Sequence, residues 1–530
     1  MNSENTEETS KQEQGIKVES RQESGSAEMS PEWKEEVEKT TQLVVKALDA
    51  VYQPPDPRKD MEILWFEDND SGNADKFLHM YWWCLAYCHK TQTWYVYDGK
   101  RWLQDKNGHA VRRLVERFYQ RGMAVFEQPD LSREVAGRKK DFLKLGNCAV
   151  REHMLEAAAA RYDFDSRSFN QRAELLTVKN GVINLRKGEL YGFAQIYDLT
   201  QYADVVYDRQ AASPTRFLQF LEEIFNGDRE LIAYVQKVLG YCLTGETKEQ
   251  CFFILCGSGS NGKSVLLNLL KELLPEFVQT VALSALAEKN DYGAPNSTLV
   301  AAKDARMLLG NELNKNMRLD ENLIKTSTGE DTVVARAMYR EEIEFLPRYK
   351  VLMTVNSFPQ VDWDDYAMLR RIRLIPFTHT FKGGEIDREL PDKLWQEQEG
   401  ILRWLVEGAR RWYAEGLGEP PASVRKKLWQ LQMGSPSFCG FYEQCLERTG
   451  CAEDSIQAAA LYQAYQAWCQ EHAVEVRDIL SQRMFSRNLQ RCQLTKKLIG
   501  RSRCNYYLGL RLKDMSSEAS IIEETEIYGT

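Results

Sequence analysis

No stretch of this 530-residue chain approaches the ~18 consecutive apolar residues of a membrane span. Its amino-terminal end also lacks the apolar core of a signal peptide, so the expectation is a cytoplasmic protein with no membrane partner. Among twelve cysteines there is no CxxC pair, which removes the usual signs of a redox dithiol or a paired zinc site. The nearest thing to a metal cluster is Cys84, Cys88 and His89 in WWCLAYCHK. A structural zinc takes four ligands, and this lone cluster among aromatics reads as packing. Internal repeats are missing, which sets solenoids and arrays aside.

A net positive charge is also lacking, and the placement of charge matters more than its total. The formal charge is −9, but residues 1–40 hold eleven acidic side chains against five basic ones, and residues 514–530 hold five acids and no base. Without these ends, residues 41–513 stand at +2, so the acidic total does not exclude a nucleic-acid partner. Both ends have almost no large apolar side chain to bury and cannot offset the entropy of ordering. They read as disordered tails that solubilise the chain or dock a partner. Residues 481–513 are the reverse, with nine Lys/Arg and no acid. There LSQRMFSRNLQ reads as a recognition helix bearing Arg483 and Arg487, followed by two strands with Arg501 and Arg503 at their turn. Such a patch favours phosphate contact in a salt-dependent way, although a solvated basic face has the same composition.

Five regions follow from these shifts. Residues 1–60 are an acidic tail, and 61–210 a mixed α/β module with aromatic patches and the amphipathic helix AVRRLVERFYQRGMAVF. The module closes in short β-like runs separated by turns at Lys179-Asn180-Gly181 and Arg186-Lys187-Gly188. Residues 211–417 alternate helices with short apolar strands (CFFILC, RMLLG, YKVLMTVN, RLIPF), the pattern of a mostly parallel sheet in an α/β domain. Residues 418–513 form a compact basic region, and 514–530 a second acidic tail.

Chemistry concentrates in 211–417. GSGSNGKS, residues Gly257, Ser258, Gly259, Ser260, Asn261, Gly262, Lys263 and Ser264, fits GxxxxGK[ST] between the strand CFFILC and the helix KSVLLNLLKELL. That setting lets backbone N–H groups surround phosphates at a helix amino terminus, with Lys263 reaching the β- and γ-phosphates and the Ser264 hydroxyl ligating Mg²⁺. The expected cofactors are ATP and Mg²⁺. Past the next strand stands Glu312, an acid that can hold the metal through water and polarise the attacking water, with Asn311 where many such enzymes carry a second acid. YKVLMTVN ends in Asn356, an amide able to hold that water and sense the γ-phosphate. Arg370 and Arg371 in LRRIRLIPF either face solvent or, in an oligomer, reach across a subunit boundary.

Taken in order, GSGSNGKS, the NE after the second strand, GEDTVVARAMYREEIEFLPRYK, the VN of the third strand and LRRIRLIPF resemble the motif set of superfamily 3 helicases. The closest similarity is to phage and plasmid primase-helicases related to the poxvirus primase-helicase, and it extends over about residues 75–513. The resemblance implies an AAA+-like P-loop motor, a carboxyl-terminal winged helix, and a ring, usually a hexamer, around single-stranded DNA. It makes Lys263 and Ser264 the ATP–Mg²⁺ ligands, Glu312 the Walker B acid and Asn356 the sensor. Arg371 becomes the finger acting in trans, with Arg370 second. TVVARAMYREEIEF becomes the DNA-tracking hairpin, with Tyr339 and Arg340 near its tip and Arg336 on its rising strand, a set able to grip phosphates and stack on a base.

The leading expectation is a replicative DNA helicase of a mobile element, moving 3′ to 5′ on single-stranded DNA in the host cytoplasm, opening forked duplex and working beside a primase or polymerase. A helicase-primase is one alternative. Against it stand the short segment before residue 61 and the lack of an evident carboxylate motif for polymerisation. An origin-binding initiator or loader ATPase without processive unwinding is the other.

Overall fold

The computed structural model describes residues 57–513 apart from 283–285, 287–296, 312–318, 337–341, 357, 360, 362, 364, 452 and 500–503. The carboxyl-terminal tail and nearly all of the amino-terminal one, with Glu312, Tyr339, Arg340, Arg501 and Arg503, therefore lie outside the described residues. The chain divides into two compact units: one takes the residues up to Asp98 together with Leu103–Asp163, the other Gly99–Trp102 and everything from Phe164 onward.

The first unit contains α1 (Asp70–Tyr81), the strands β1 (Leu85–Cys88), β2 (Thr93–Tyr97) and β3 (Trp102–Asp105) in a sheet of that order, then α2 (His109–Val125) and α3 (Cys148–Ala159). Asn69 caps α1 by accepting the Gly72 N–H at 2.7 Å, which satisfies one of the orphan donors of a helix start. In α2 the residues Val111, Leu114, Val115 and Phe118 are buried at helical spacing. The Phe118 ring meets those of Phe77 and Phe142 at 5.7 and 5.8 Å. The third metal-like residue of WWCLAYCHK is engaged here, with the His89 ring bonded to the Tyr162 carbonyl at 2.8 Å.

The second unit opens with an antiparallel sheet, β4 (Leu175–Val178), β5 (Gly181–Asn184) and β6 (Glu189–Tyr191), whose turns fall at the two glycine-containing triplets. Two helices follow, α4 (Thr215–Ile224) and α5 (Arg229–Leu243). The chain then runs through β7 (Phe252–Cys256), α6 (Lys263–Leu273), β8 (Val278–Ala282), α7 (Ser297–Ala301), β9 (Met307–Asn311) and α8 (Glu321–Thr328). A hairpin comes next, β10 (Val333–Arg336) with β11 (Glu342–Phe345), and then β12 (Lys350–Val355), α9 (Tyr366–Leu369) and β13 (Ile372–Pro376). Helices α10 (Leu390–Gln396) and α11 (Gln398–Glu415) complete this part.

Five of these strands form one parallel sheet in the order β13-β7-β12-β9-β8. Its central strands are largely apolar: β7 reads FFILC, and β12, which carries Lys350 and Thr354 among apolar residues, is buried at all six positions, as expected for strands covered on both faces. Helices α5 and α11 cross where a Cβ on Gly240 would overlap the Ala409 backbone and one on Gly408 the Gln236 carbonyl. Only glycine lets the two backbones come so close.

Helix α12 (Ala422–Met433) leads to the last part: α13 (Pro436–Cys445), β14 (Leu446–Arg448), β15 (Ser455–Gln457), α14 (Ala458–Glu471), α15 (Gln482–Arg491), β16 (Lys496–Ile499), β17 (Cys504–Leu508) and β18 (Leu510–Leu512). Its two small sheets are ordered β15-β17-β16 and β14-β18. Its core is its own, built on Phe438, Phe441, Tyr465, Trp468, Phe485 and Leu489.

Candidate functional site

The loop 257–262 joins the carboxyl end of β7 to the first turn of α6, the position where open α/β sheets bind ligands. Its conformation needs glycine. Gly262 has φ +83°, and a Cβ there would lie 2.6 Å from Ile224 Cγ2 on α4. Gly259 and Ser260 are also left-handed. Anchorage runs through the strands beside the loop, with Gly257 N–H donating to the Val355 carbonyl at 3.2 Å and Phe381 N–H to the Ser260 carbonyl at 2.8 Å. The N–H groups of the first turn of α6 have no helical acceptors of their own, so this end is electropositive.

Lys263 is 6% exposed and donates to the Gly257 carbonyl at 2.7 Å and to Asn261 Oδ1 at 2.9 Å. Both acceptors are neutral. Burial holds its ammonium below the ordinary lysine range, and it makes no ion pair among the described residues. Asn261 is itself buried, and its Nδ2 has no acceptor. A buried amide N–H without a partner is costly, and here it stands beside a cation that lacks a counter-charge. That donor set fits a polyanion, so the residues present fit the phosphates of a nucleotide.

Beside the loop opens a cavity of about 650 Å³ lined by residues 259–265, by Leu267, Asn268 and Lys271 of α6, by Thr280 of β8, Leu309 of β9, Thr354 of β12, and by Asn356. Ser260 to Ser264 and Asn356 are thus brought together, Asn356 because β12 pairs with β7 so that Val355 lies opposite Cys256. Gly257 and Ser258 belong to the same loop on its strand side. Asn311 ends β9 opposite Thr354, at the same edge of the sheet, while Glu312 lies outside the described residues. Lys271, Asn268 and Thr280 were not singled out from the sequence. Asn268 and Lys271 follow Ser264 at one-turn intervals, a spacing that identifies them once α6 is accepted as a helix.

Arg370 and Arg371 lie at the other edge. They precede β13, whose first residue pairs with Phe252 and whose last pairs with Cys256, so the full strand separates them from the loop. Asp365 caps α9, accepting the N–H groups of Ala367 at 2.8 Å and Met368 at 3.2 Å while its other oxygen accepts Lys325 Nζ at 2.6 Å. The Lys325 hydrogen bond lowers the Asp365 carboxyl to about 2. From this short helix the two arginines point differently. Arg371 is 8% exposed, donates to the Ala367 carbonyl at 2.6 Å and leaves a buried Nε without a partner. Arg370 is exposed and donates to Gln250 Oε1 at 3.1 Å.

The β10–β11 hairpin pairs Arg336 with Glu342 and alternates buried Val333 and Ala335 with exposed Val334 and Arg336. In the carboxyl-terminal part, α15 buries Phe485, Asn488 and Leu489, and Asn488 Nδ2 donates to the Met433 carbonyl at 2.9 Å. Arg483 and Arg487, four apart, share the exposed face of that helix. Strands β16 and β17 are antiparallel, with Ile499 opposite Cys504; Arg501 and Arg503 lie outside the described residues. Among the described residues no helix is long and apolar enough to cross a membrane, and none of their His, Cys, Asp and Glu side chains form a metal-holding cluster.

Two family models match the chain: one described as D5 N terminal like over residues 74–226, and a family of unknown function, DUF5906, over residues 255–371. A candidate helicase of Acanthamoeba polyphaga mimivirus is 26% identical over 452 residues, which is 77% of this chain and 47% of that protein. The primase D5 of Fowlpox virus is 31% identical over 150 residues, 27% of this chain and 19% of that one. The chain therefore spans about half the length of the mimivirus relative and less of the poxvirus one. Among solved structures, the apo carboxyl-terminal region of NrS-1 is 13% identical with a TM-score of 0.42, covering 80% of this chain and 96% of that one. A likeness that weak carries no argument.

Proposed function

We propose, from the premise that the chain is a relative of the D5-type viral primase-helicases, that it is an ATP-dependent superfamily 3 DNA helicase. In this reading an AAA+-like motor with a carboxyl-terminal winged helix assembles into a ring, hexameric in the family. The ring moves 3′ to 5′ on single-stranded DNA and opens forked duplex, in the host cytoplasm and beside a primase or polymerase. The observation that carries the reading is the loop: a buried lysine with neutral partners, an unpaired buried amide and a helix amino terminus, all facing one cavity.

Lys263 and Ser264 are the residues to hold ATP and Mg²⁺, with Glu312 polarising the attacking water and Asn356 orienting it. Bound ATP–Mg²⁺ supplies the phosphoryl group whose transfer to water powers movement. Lys263 would exchange two neutral oxygen partners for charged ones, which strengthens its hydrogen bonds. The five residues of β13, at ~3.3 Å each, hold Arg370 and Arg371 away from their own loop, which supports service to a neighbour's. Exposed Arg370 is the better placed finger, and buried Arg371 is turned back onto α9 through the Ala367 carbonyl. Arg336, Tyr339 and Arg340 of the hairpin are the pore contacts. Arg483 and Arg487 on α15, with Arg501 and Arg503 between β16 and β17, are the contacts of the basic module.

The test is forked-duplex unwinding with the arginine variants. Arg370→Ala is expected to bind ATP and assemble but to lose hydrolysis and unwinding by ~10³-fold or more. Mixing it with Lys263→Ala should restore part of the activity, because one subunit supplies the loop and the next the arginine. No unwinding by the wild type overturns the helicase reading, and no recovery at any mixing ratio overturns the shared site.

A further inference from the structure

A second cavity lies between the β5–β6 turn, the irregular segment 207–214, and the crossing pair α5 and α11. It has a volume of about 420 Å³, within the range of ligand sites, and shares no lining residue with the nucleotide cavity. Four basic side chains line it, Lys187, Arg209, Arg403 and Arg410, against one acid, Glu407. In a chain of net −9 this is a strong local excess. Glu407 is already engaged with Arg410 at 2.9 and 3.0 Å. Arg403 donates to the neutral Ala211 carbonyl at 2.6 Å and makes no ion pair among the described residues. Lys187 is exposed, with Glu189 no nearer than 4.0 Å, and Arg209 makes no hydrogen bond or ion pair among the described residues. The geometry is fixed from beneath: the buried Tyr207 hydroxyl donates to the Gly188 carbonyl at 3.0 Å, tying the segment that leads to Arg209 to the turn that carries Lys187.

The lining also says how a ligand is read. Its one side-chain amide, Gln236, is used at both ends: Nε2 donates to the Trp404 carbonyl at 3.0 Å and Oε1 accepts from Arg411 at 3.1 Å. No amide is left to read a base edge, while cations from three separate elements converge. That is the chemistry of backbone contact without sequence readout. We propose that this cavity binds the phosphodiester backbone of a single DNA strand through Lys187, Arg209 and Arg403. The choice of DNA as occupant rests on the helicase reading; the cationic cavity does not.

The experiment uses the full chain carrying Lys187→Ala and Arg209→Ala together, since neither side chain supports a buried partner. Affinity for a labelled single-stranded oligonucleotide is measured across salt concentrations, beside ATP hydrolysis without DNA. The slope of log affinity against log salt is expected to fall by roughly 0.7 for each phosphate contact removed, about 1.4 for the pair, with DNA-free hydrolysis unchanged. Arg209→Lys should keep most of the slope. An unchanged slope in the double variant overturns the proposal. So does a loss of tripolyphosphate binding with the DNA slope intact, which would make the occupant a free polyphosphate. If the wild type binds no single-stranded DNA at all, the helicase reading has failed instead.

Discussion

Lys263 and Lys350 are two buried lysines at opposite ends of one parallel sheet, and they teach different things. Lys263 follows the carboxyl end of β7; Lys350 begins β12 at the amino edge and is 1% exposed. Both donate to backbone carbonyls and both have their pKa lowered by burial. Around Lys350 the surroundings are closed: its ammonium bonds the carbonyls of Thr244 and Arg348, sits 5.0 Å over the Tyr241 ring, and adjoins the equally buried Arg306, which holds the carbonyls of Leu243 and Leu175. These cations fasten β4 and the end of α5 to the sheet. Around Lys263 there is a cavity and an amide with nothing to bond. Burial of a cation alone therefore does not mark a site; burial beside unsatisfied donors and open volume does.

The sharpest way to break this comparison is to truncate each lysine. Lys263→Ala is expected to reduce ATP hydrolysis by ~10²-fold or more, the scale of losing one preorganised donor to a developing charge, with the unfolding midpoint unchanged. Lys350→Ala should do the opposite: a loss of about 2–4 kcal/mol from a core cavity and two stranded carbonyls, with the Michaelis constant for ATP unchanged in the protein that remains folded. Denaturant titration and steady-state kinetics on both variants decide it. Loss of stability at Lys263 without loss of activity would reverse the assignment.

A smaller effect sharpens the same contrast. Asn261→Ala removes the unpaired amide together with the acceptor that holds Lys263. If the amide is kept for a ligand, the variant should bind ATP about tenfold more weakly, one good hydrogen bond, and unfold at the same or slightly higher denaturant concentration. A weaker fold with unaltered ATP affinity would make Asn261 a packing residue.

What could be read in advance divides along the same line. The glycine loop, the helices around it and four of the five sheet strands follow local rules of spacing and turn chemistry, so residues 252–273 and Asn356 were legible. The fifth strand, β8, was not: Gln279 and Thr280 interrupt its apolar pattern because the strand lies at the sheet edge. Strand order and register are non-local, and they alone bring Asn356 to the loop. Arg370 and Arg371 are equivalent in sequence. The cap at Asp365 sets the phase of α9 and so decides which of them turns inward. The buried roles of Lys350 and Arg306 leave no motif, because their partners are carbonyls that every residue carries. The second cavity draws on positions near 187, 209, 236 and 403–410, a set that only the tertiary fold assembles.

The last effect is read as a slope. Burial brings the Lys350 ammonium down to about 7 from an ordinary 10.5. Between those values the unfolded chain holds a proton that the folded chain has released, so raising the pH favours the folded state, by at most about 1.4 kcal/mol per pH unit. Below about pH 7 both states are protonated and the cost of burying the charge is constant. Lys350→Met keeps the side-chain length and removes the titration. Measured by denaturant midpoints at pH 6, 7, 8 and 9, wild-type stability should climb relative to Lys350→Met above pH 7 and run parallel to it below. Parallel curves across the whole range would mean that the two carbonyls and the Tyr241 ring hold the proton on Lys350 in the folded state, and the closed end of the sheet would then carry a permanent buried charge.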